Sequence, residues 1–141
     1  MSSKRLVVYA DGGSRGNPGP AGAGAYLENE DGEAVARIYK YLGETTNNVA
    51  EYSALIFGLK EALRQKAEEV TVRMDSQLVV KQISGEYRVK EPTLQKLHAQ
   101  VQALLQGFKK FRVEHIPREE NGKADELANL AMDKGTPPSF S

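Results

Sequence analysis

The 141-residue chain contains no cysteine, no tryptophan and only two histidines, His98 and His115. Without cysteine there are no disulfides and no thiolate metal sites, and two histidines far apart in the chain leave little for zinc. Any metal must therefore be held by oxygen. The chain has no apolar run approaching the roughly 20 residues of a membrane span, and "MSSKRLVVYADGG" has neither the apolar stretch nor the small-residue cleavage site of a signal peptide. A soluble, cytoplasmic protein with no membrane partner is expected. Neither sign of charge is in excess: 19 Lys and Arg balance 19 Asp and Glu, which excludes a polycation that holds nucleic acid by bulk attraction. With 40% hydrophobic and 27% charged residues, the composition suits a single globular domain. That domain is expected over residues 1–134, as a monomer, with "GTPPSFS" at 135–141 a disordered tail.

The stretch "DGGSRGNPGPAGAG", residues 11–24, places glycine at every third position from 13 to 22. A collagen triple helix needs that period over many repeats, and here it stops after three triplets. A linker should separate two folded units, yet only ten residues come before it. The remaining reading is a tight glycine-rich turn between two strands, with Asp11 at its mouth.

Apolar runs predict strands at 5–10, 22–28 and 34–42, the last two joined across Asp31-Gly32, a strong hairpin signal. Tyr52, Leu55, Leu59, Ala62 and Leu63 recur at helical spacing after an asparagine near 47 that can cap the helix. A fourth strand is expected over 68–75, a short helix over 76–84 with Gly85 as its stop, a helix opened by Pro92, a fifth strand over 110–117 and a last helix over 122–134. The order β-β-β-α-β-α-α-β-α describes an α/β protein, a mixed five-stranded sheet whose last two strands join parallel to the first.

Asp11 and Asp75 are each the first polar residue past a predicted strand. If those strands are parallel neighbours, the two emerge together at the carboxyl end of the sheet, where open α/β sheets bind ligands. Taken singly, every acidic residue of interest has an ordinary explanation. Asp75 can cap a helix, and Glu51 and Asp125, placed in first helical turns, can simply favour the helix dipole.

Four blocks remove that ambiguity: "YADGGSRGNPGPAGAG", "TTNNVAEYSALIFGL", "VRMDSQLVVKQISGEY" and "HIPREENGKADELANLA". In order and interval they resemble the signature blocks of type 1 ribonuclease H, a likeness that spans about residues 5–134. The resemblance implies the ribonuclease H-like fold, a mixed five-stranded sheet flanked by helices. It implies an endonuclease that hydrolyses the RNA strand of an RNA–DNA hybrid with little sequence preference, leaving 5′-phosphate and 3′-hydroxyl ends. Asp11, Glu51, Asp75 and Asp125 match the family's catalytic and metal-binding carboxylates. Two Mg²⁺ ions, with Mn²⁺ as a substitute, suit such a set, because hard oxygen ligands bind them and four converging carboxylates would otherwise repel one another.

The resemblance also makes Gly12, Gly13, Ser14, Arg15, Gly16 and Asn17 the substrate loop, with backbone N–H groups facing sugar hydroxyls and phosphates. Asn47, Asn48 and Gln77 match minor-groove residues able to recognise 2′-hydroxyls, and Thr46 is a candidate for a phosphate pocket. One of the two asparagines is expected to cap the helix. The chain departs from longer bacterial members in lacking a basic handle between Gln77 and Phe111, where Tyr87, Arg88 and Lys90 stand instead. It also has a shortened loop before the last aspartate. Arg118, in that loop, is favoured over His115 for an auxiliary catalytic role, because strand alternation would pack His115 beside Phe111 and Val113. Two rival functions are a catalytically inactive hybrid-binding module and one half of an actin-like ATPase. Activity on RNA duplexes is left open.

Overall fold

Alternation in "RLVVYA" sends Leu6, Val8 and Ala10 to one face of a strand, and all three are buried. In the computed structural model, which describes residues 4–135, that strand is the centre of a five-stranded sheet. Its members are β1 (Arg5–Ser14), β2 (Gly19–Glu28), β3 (Ala34–Thr45), β4 (Glu69–Met74) and β5 (Lys110–His115), in the spatial order β3-β2-β1-β4-β5. β1, β2 and β3 form an antiparallel meander, while β4 lies parallel to β1 and β5 parallel to β4. The expected fold class holds. Among the described residues, no helix is long and apolar enough to cross a membrane.

Helices cover both faces. α1 (Asn47–Arg64) lays Tyr52, Leu55 and Leu59 on the face that carries Leu6, Val8 and Val72, all within one core, and α3 (Pro92–Leu105) adds Val101 and Leu105 to it. The short α2 (Gln77–Ile83) follows β4, and Gly85, with φ +87, ends it as expected. α4 (Gly122–Gly135) crosses the opposite face with Ala124, Leu127, Ala128, Ala131 and Met132 inward. The helix runs through Gly135, the first residue of the expected tail, and 136–141 lie outside the described residues.

The glycine stretch behaves differently from a simple turn. β1 continues through Ser14 and β2 starts at Gly19, so only residues 15–18 form the tip, and Asp11 sits inside the ladder opposite Gly24 rather than past the strand. The glycines let both helices come close. A Cβ on Gly12 would overlap the backbone carbonyl of Ala50 in α1, and one on Gly24 would overlap that of Ala124 in α4. Each contact sets a helix beside Asp11.

Two further local expectations are corrected. Thr46, extended at ψ 162, caps α1 by accepting a hydrogen bond from the Val49 N–H at 3.3 Å; Asn47 is already inside the helix. His115 is exposed at the end of edge strand β5, so it is not the packed residue that alternation suggested.

Candidate active site

The side chain of Asp11, within β1, lies near Asp75, the residue directly after the parallel strand β4. Because Gly12 admits Ala50 so closely, the next residue of α1, Glu51, is brought to the same place. Because Gly24 admits Ala124, Asp125 is brought in from the other face. The four carboxylates line one cleft of about 540 Å³, together with Gly12, Gly13, Ser14, Arg15, Asn47, Asn48 and Arg118. Glu51 is the fifth residue of α1, and the first turn of that helix holds no acidic residue, so the helix-dipole explanation loses force for it. Asp125 does lie in the first turn of α4.

The carboxylates interact as a chain of neighbours. Burial first, then the charge of Asp75, then a hydrogen bond with Asp125 push Asp11 up to about 8. Burial pushes Glu51 up to about 7, with Asp75 adding to the rise and a hydrogen bond from Ser76 opposing it. The ionised form of each is disfavoured for want of positive charge nearby, which is the condition a bound cation relieves. Among the described residues, no three acidic or histidine side chains already form a coordination sphere around one point. Asp75 is turned towards the amide of Asn121, and Glu51 is engaged by Ser76. The donor set is nonetheless a good match for a hard divalent ion, since the lining offers carboxylate, amide and hydroxyl oxygen and neither cysteine nor histidine.

A family model described as Reverse transcriptase-like matches residues 9–131. The RNase H1 of the archaeon Halobacterium salinarum is 43% identical, with TM-score 0.90 over 92% of this chain and 98% of that one. LC11-RNase H1, solved in complex with an RNA/DNA hybrid, is 46% identical, with TM-score 0.86 over 92% of this chain and 98% of that one. The chain belongs to the type 1 ribonuclease H family. Also similar is the bifunctional protein Rv2228c of Mycobacterium tuberculosis, at 52% identity over 92% of this chain but only 36% of that protein. Its N-terminal RNase H domain superposes with TM-score 0.89 over 99% of the domain chain. The chain thus spans about a third of the length of that curated relative.

Not every residue singled out in the sequence reaches the cleft. Gly16, Asn17, Thr46 and Gln77 are absent from its lining. Asn17 instead accepts a hydrogen bond from the backbone N–H of Asn47 at 3.2 Å, Thr46 is committed as the cap of α1, and Gln77 is exposed at the start of α2. Asn47 Oδ1 accepts from both the N–H and the hydroxyl of Ser14, at 2.8 and 3.0 Å. This bond staples the hairpin tip to α1 and leaves the amide NH₂ of Asn47 as its donor group. Arg118 opens a 3₁₀ turn (Arg118–Glu120) and lines the cleft, whereas His115 does not.

The residue that sequence reasoning missed is Asn121. It is fully buried, and its Nδ2 donates to Asp75 Oδ1 at 2.9 Å and to the Ala10 carbonyl at 3.0 Å, while its own Oδ1 is buried without a partner. It joins the start of α4 to the middle of β1 and to the residue that follows β4. Its position immediately before a helix that carries an acidic residue was the one available signal, and it reads there as an ordinary cap.

Proposed function

We propose that this protein is a metal-dependent endoribonuclease that hydrolyses the RNA strand of RNA–DNA hybrids, leaving 5′-phosphate and 3′-hydroxyl ends. One observation carries the proposal: Asp11, Glu51, Asp75 and Asp125, from four different elements, line a single cleft in which burial and mutual repulsion raise Asp11 and Glu51. The hybrid seen with LC11-RNase H1 supports the choice of substrate. Two Mg²⁺ ions, or Mn²⁺ in their place, would be held by the four carboxylates and would supply activation of the attacking water and stabilisation of the leaving oxygen.

The chain's own groups do the rest. Asp11, which interacts with both Asp75 and Asp125, would be one of the residues that hold the ions. Asn121 holds Asp75, and Ser76 holds Glu51, so two of the four are oriented by neutral donors that leave their charge intact. The amides of Asn47 and Asn48, with Gln77 further along, face 2′-hydroxyls and base edges, and the backbone from Gly12 to Asn17 runs beside the sugar-phosphate chain. Arg118 is available to the scissile phosphate. The test is incubation of the protein with labelled hybrid, single-stranded RNA, RNA duplex and ATP, with Mg²⁺ and with EDTA. Cleavage of hybrid RNA only with the metal supports the reading. Binding of the hybrid without cleavage would leave an inactive module, and turnover of ATP would point to a phosphotransfer fold.

A further inference from the structure

Asp125, Asn129 and Asp133 recur every fourth residue of α4 and so share one stripe of that helix. The first two line the cleft, and Asn129 Nδ2 donates to the Asp125 carbonyl at 3.0 Å. Asp133, at the far end of the stripe, accepts a hydrogen bond from Arg15 Nη2 at 2.5 Å. Arg15 stands at the hairpin tip and also lines the cleft. Its backbone is fixed, since its N–H donates to the Pro20 carbonyl at 2.8 Å and its neighbour Ser14 is tied to Asn47. Its guanidinium is held by a single exposed carboxylate: the two side chains are 44% and 63% accessible.

We propose that Arg15 is a contact for a backbone phosphate of the bound duplex and that Asp133 is its competitor, occupying the guanidinium until a phosphate displaces it. This rests on the hybrid-cleavage reading above. An ion pair this exposed is weak in water and exchanges readily. A phosphate offers the planar fork of arginine a bidentate partner that a single exposed carboxylate oxygen does not match. Eight residues of helix separate Asp133 from Asp125, roughly 12 Å at about 1.5 Å per residue. The phosphate met by Arg15 is therefore not the scissile one but one further along the strand. Asp133 then keeps its charge beside that phosphate, so it lowers affinity.

The experiment titrates full-length protein into a fluorescently labelled RNA–DNA hybrid in EDTA across a salt series, for wild type, Arg15→Ala, Arg15→Lys, Asp133→Asn and the double variant. Arg15→Ala should flatten the dependence of log K on log salt by roughly 0.9, the value of one lost phosphate contact on a duplex. Arg15→Lys should keep most of the slope. Asp133→Asn should bind roughly two- to fivefold tighter, the scale of one exposed charge pair, and the double variant should match Arg15→Ala. In Mg²⁺, Asp133→Asn should lower KM and leave kcat unchanged. An unchanged salt slope in Arg15→Ala, or weakened binding in Asp133→Asn, would show the pair to be only a tether for the hairpin and overturn the proposal. Wild type that neither binds nor cleaves the hybrid would instead sink the functional reading beneath it.

Discussion

Among the described residues, Asn121 is the one whose side chain holds a buried polar atom, Oδ1, without a hydrogen-bond partner. Its amide donates both to Asp75 Oδ1 and to the Ala10 carbonyl next to Asp11. Replacing it with alanine strands a buried carbonyl and frees Asp75 to turn, so a stability loss of about 1–3 kcal/mol is expected from the unmet acceptor. Divalent-cation affinity, read by calorimetry, should fall as well. Equal affinity in Asn121→Ala would mean that Asp75 keeps its orientation without help. The same scale separates Arg118 from His115. Only Arg118 lines the cleft, so Arg118→Ala should slow hybrid cleavage by at least tenfold, about 1.4 kcal/mol of barrier, while His115→Ala stays near wild type. The reverse pattern in single-turnover rates would hand the auxiliary role to His115.

Elements show what glycine does here. α4 rests on Gly24 with no room for a Cβ, and that helix carries Asp125 and Met132. Gly24→Ala must push α4 off the sheet, which in a packed core costs about 1–3 kcal/mol. Gly122→Ala, at a site with nothing within 4 Å and no positive φ, should be neutral or slightly stabilising. Denaturant midpoints of the two variants give the comparison, and equal midpoints would refute the close-approach account. The helices were legible because apolar residues at 52, 55, 59 and 62 keep a period no strand shares, and β1 was legible as far as its alternation runs, to Ala10. Past Ala10 the strand was invisible, since paired glycines such as Gly13 and Gly22 carry no alternation; the ladder and the two covering helices keep it extended. The cap of α1 fell on Thr46 rather than Asn47 because both residue types serve and only the backbone angles decide between them. The four carboxylates were legible through their motifs, whereas Asn121 was not, because its importance comes entirely from burial against β1 and β4.

For the molecule as a whole, the carboxylate cluster links stability to pH and, under the proposed function, would link it to metal. Asp11 and Glu51 rise in the folded protein from ordinary values of 3.8 and 4.5 to about 8 and about 7. Between roughly pH 4 and 8 the folded state therefore binds more protons than the unfolded state, and the slope of unfolding free energy against pH is negative. Stability contributed by these protonated groups is full at acid pH and lost as pH rises through the folded values, with no further loss from them above about 8. A divalent ion held by the same oxygens would reverse the penalty by replacing protons, and would do so more effectively where fewer protons compete. Thermal unfolding should then show Tm in EDTA falling from pH 5.5 to 8.5 relative to Tm in excess Mg²⁺, so that the two curves diverge with pH. In Asp11→Asn the larger of the two raised groups is gone, and the divergence should shrink. Parallel curves for wild type would mean that cations are bound elsewhere than among Asp11, Glu51, Asp75 and Asp125, whatever the enzyme proves to cleave.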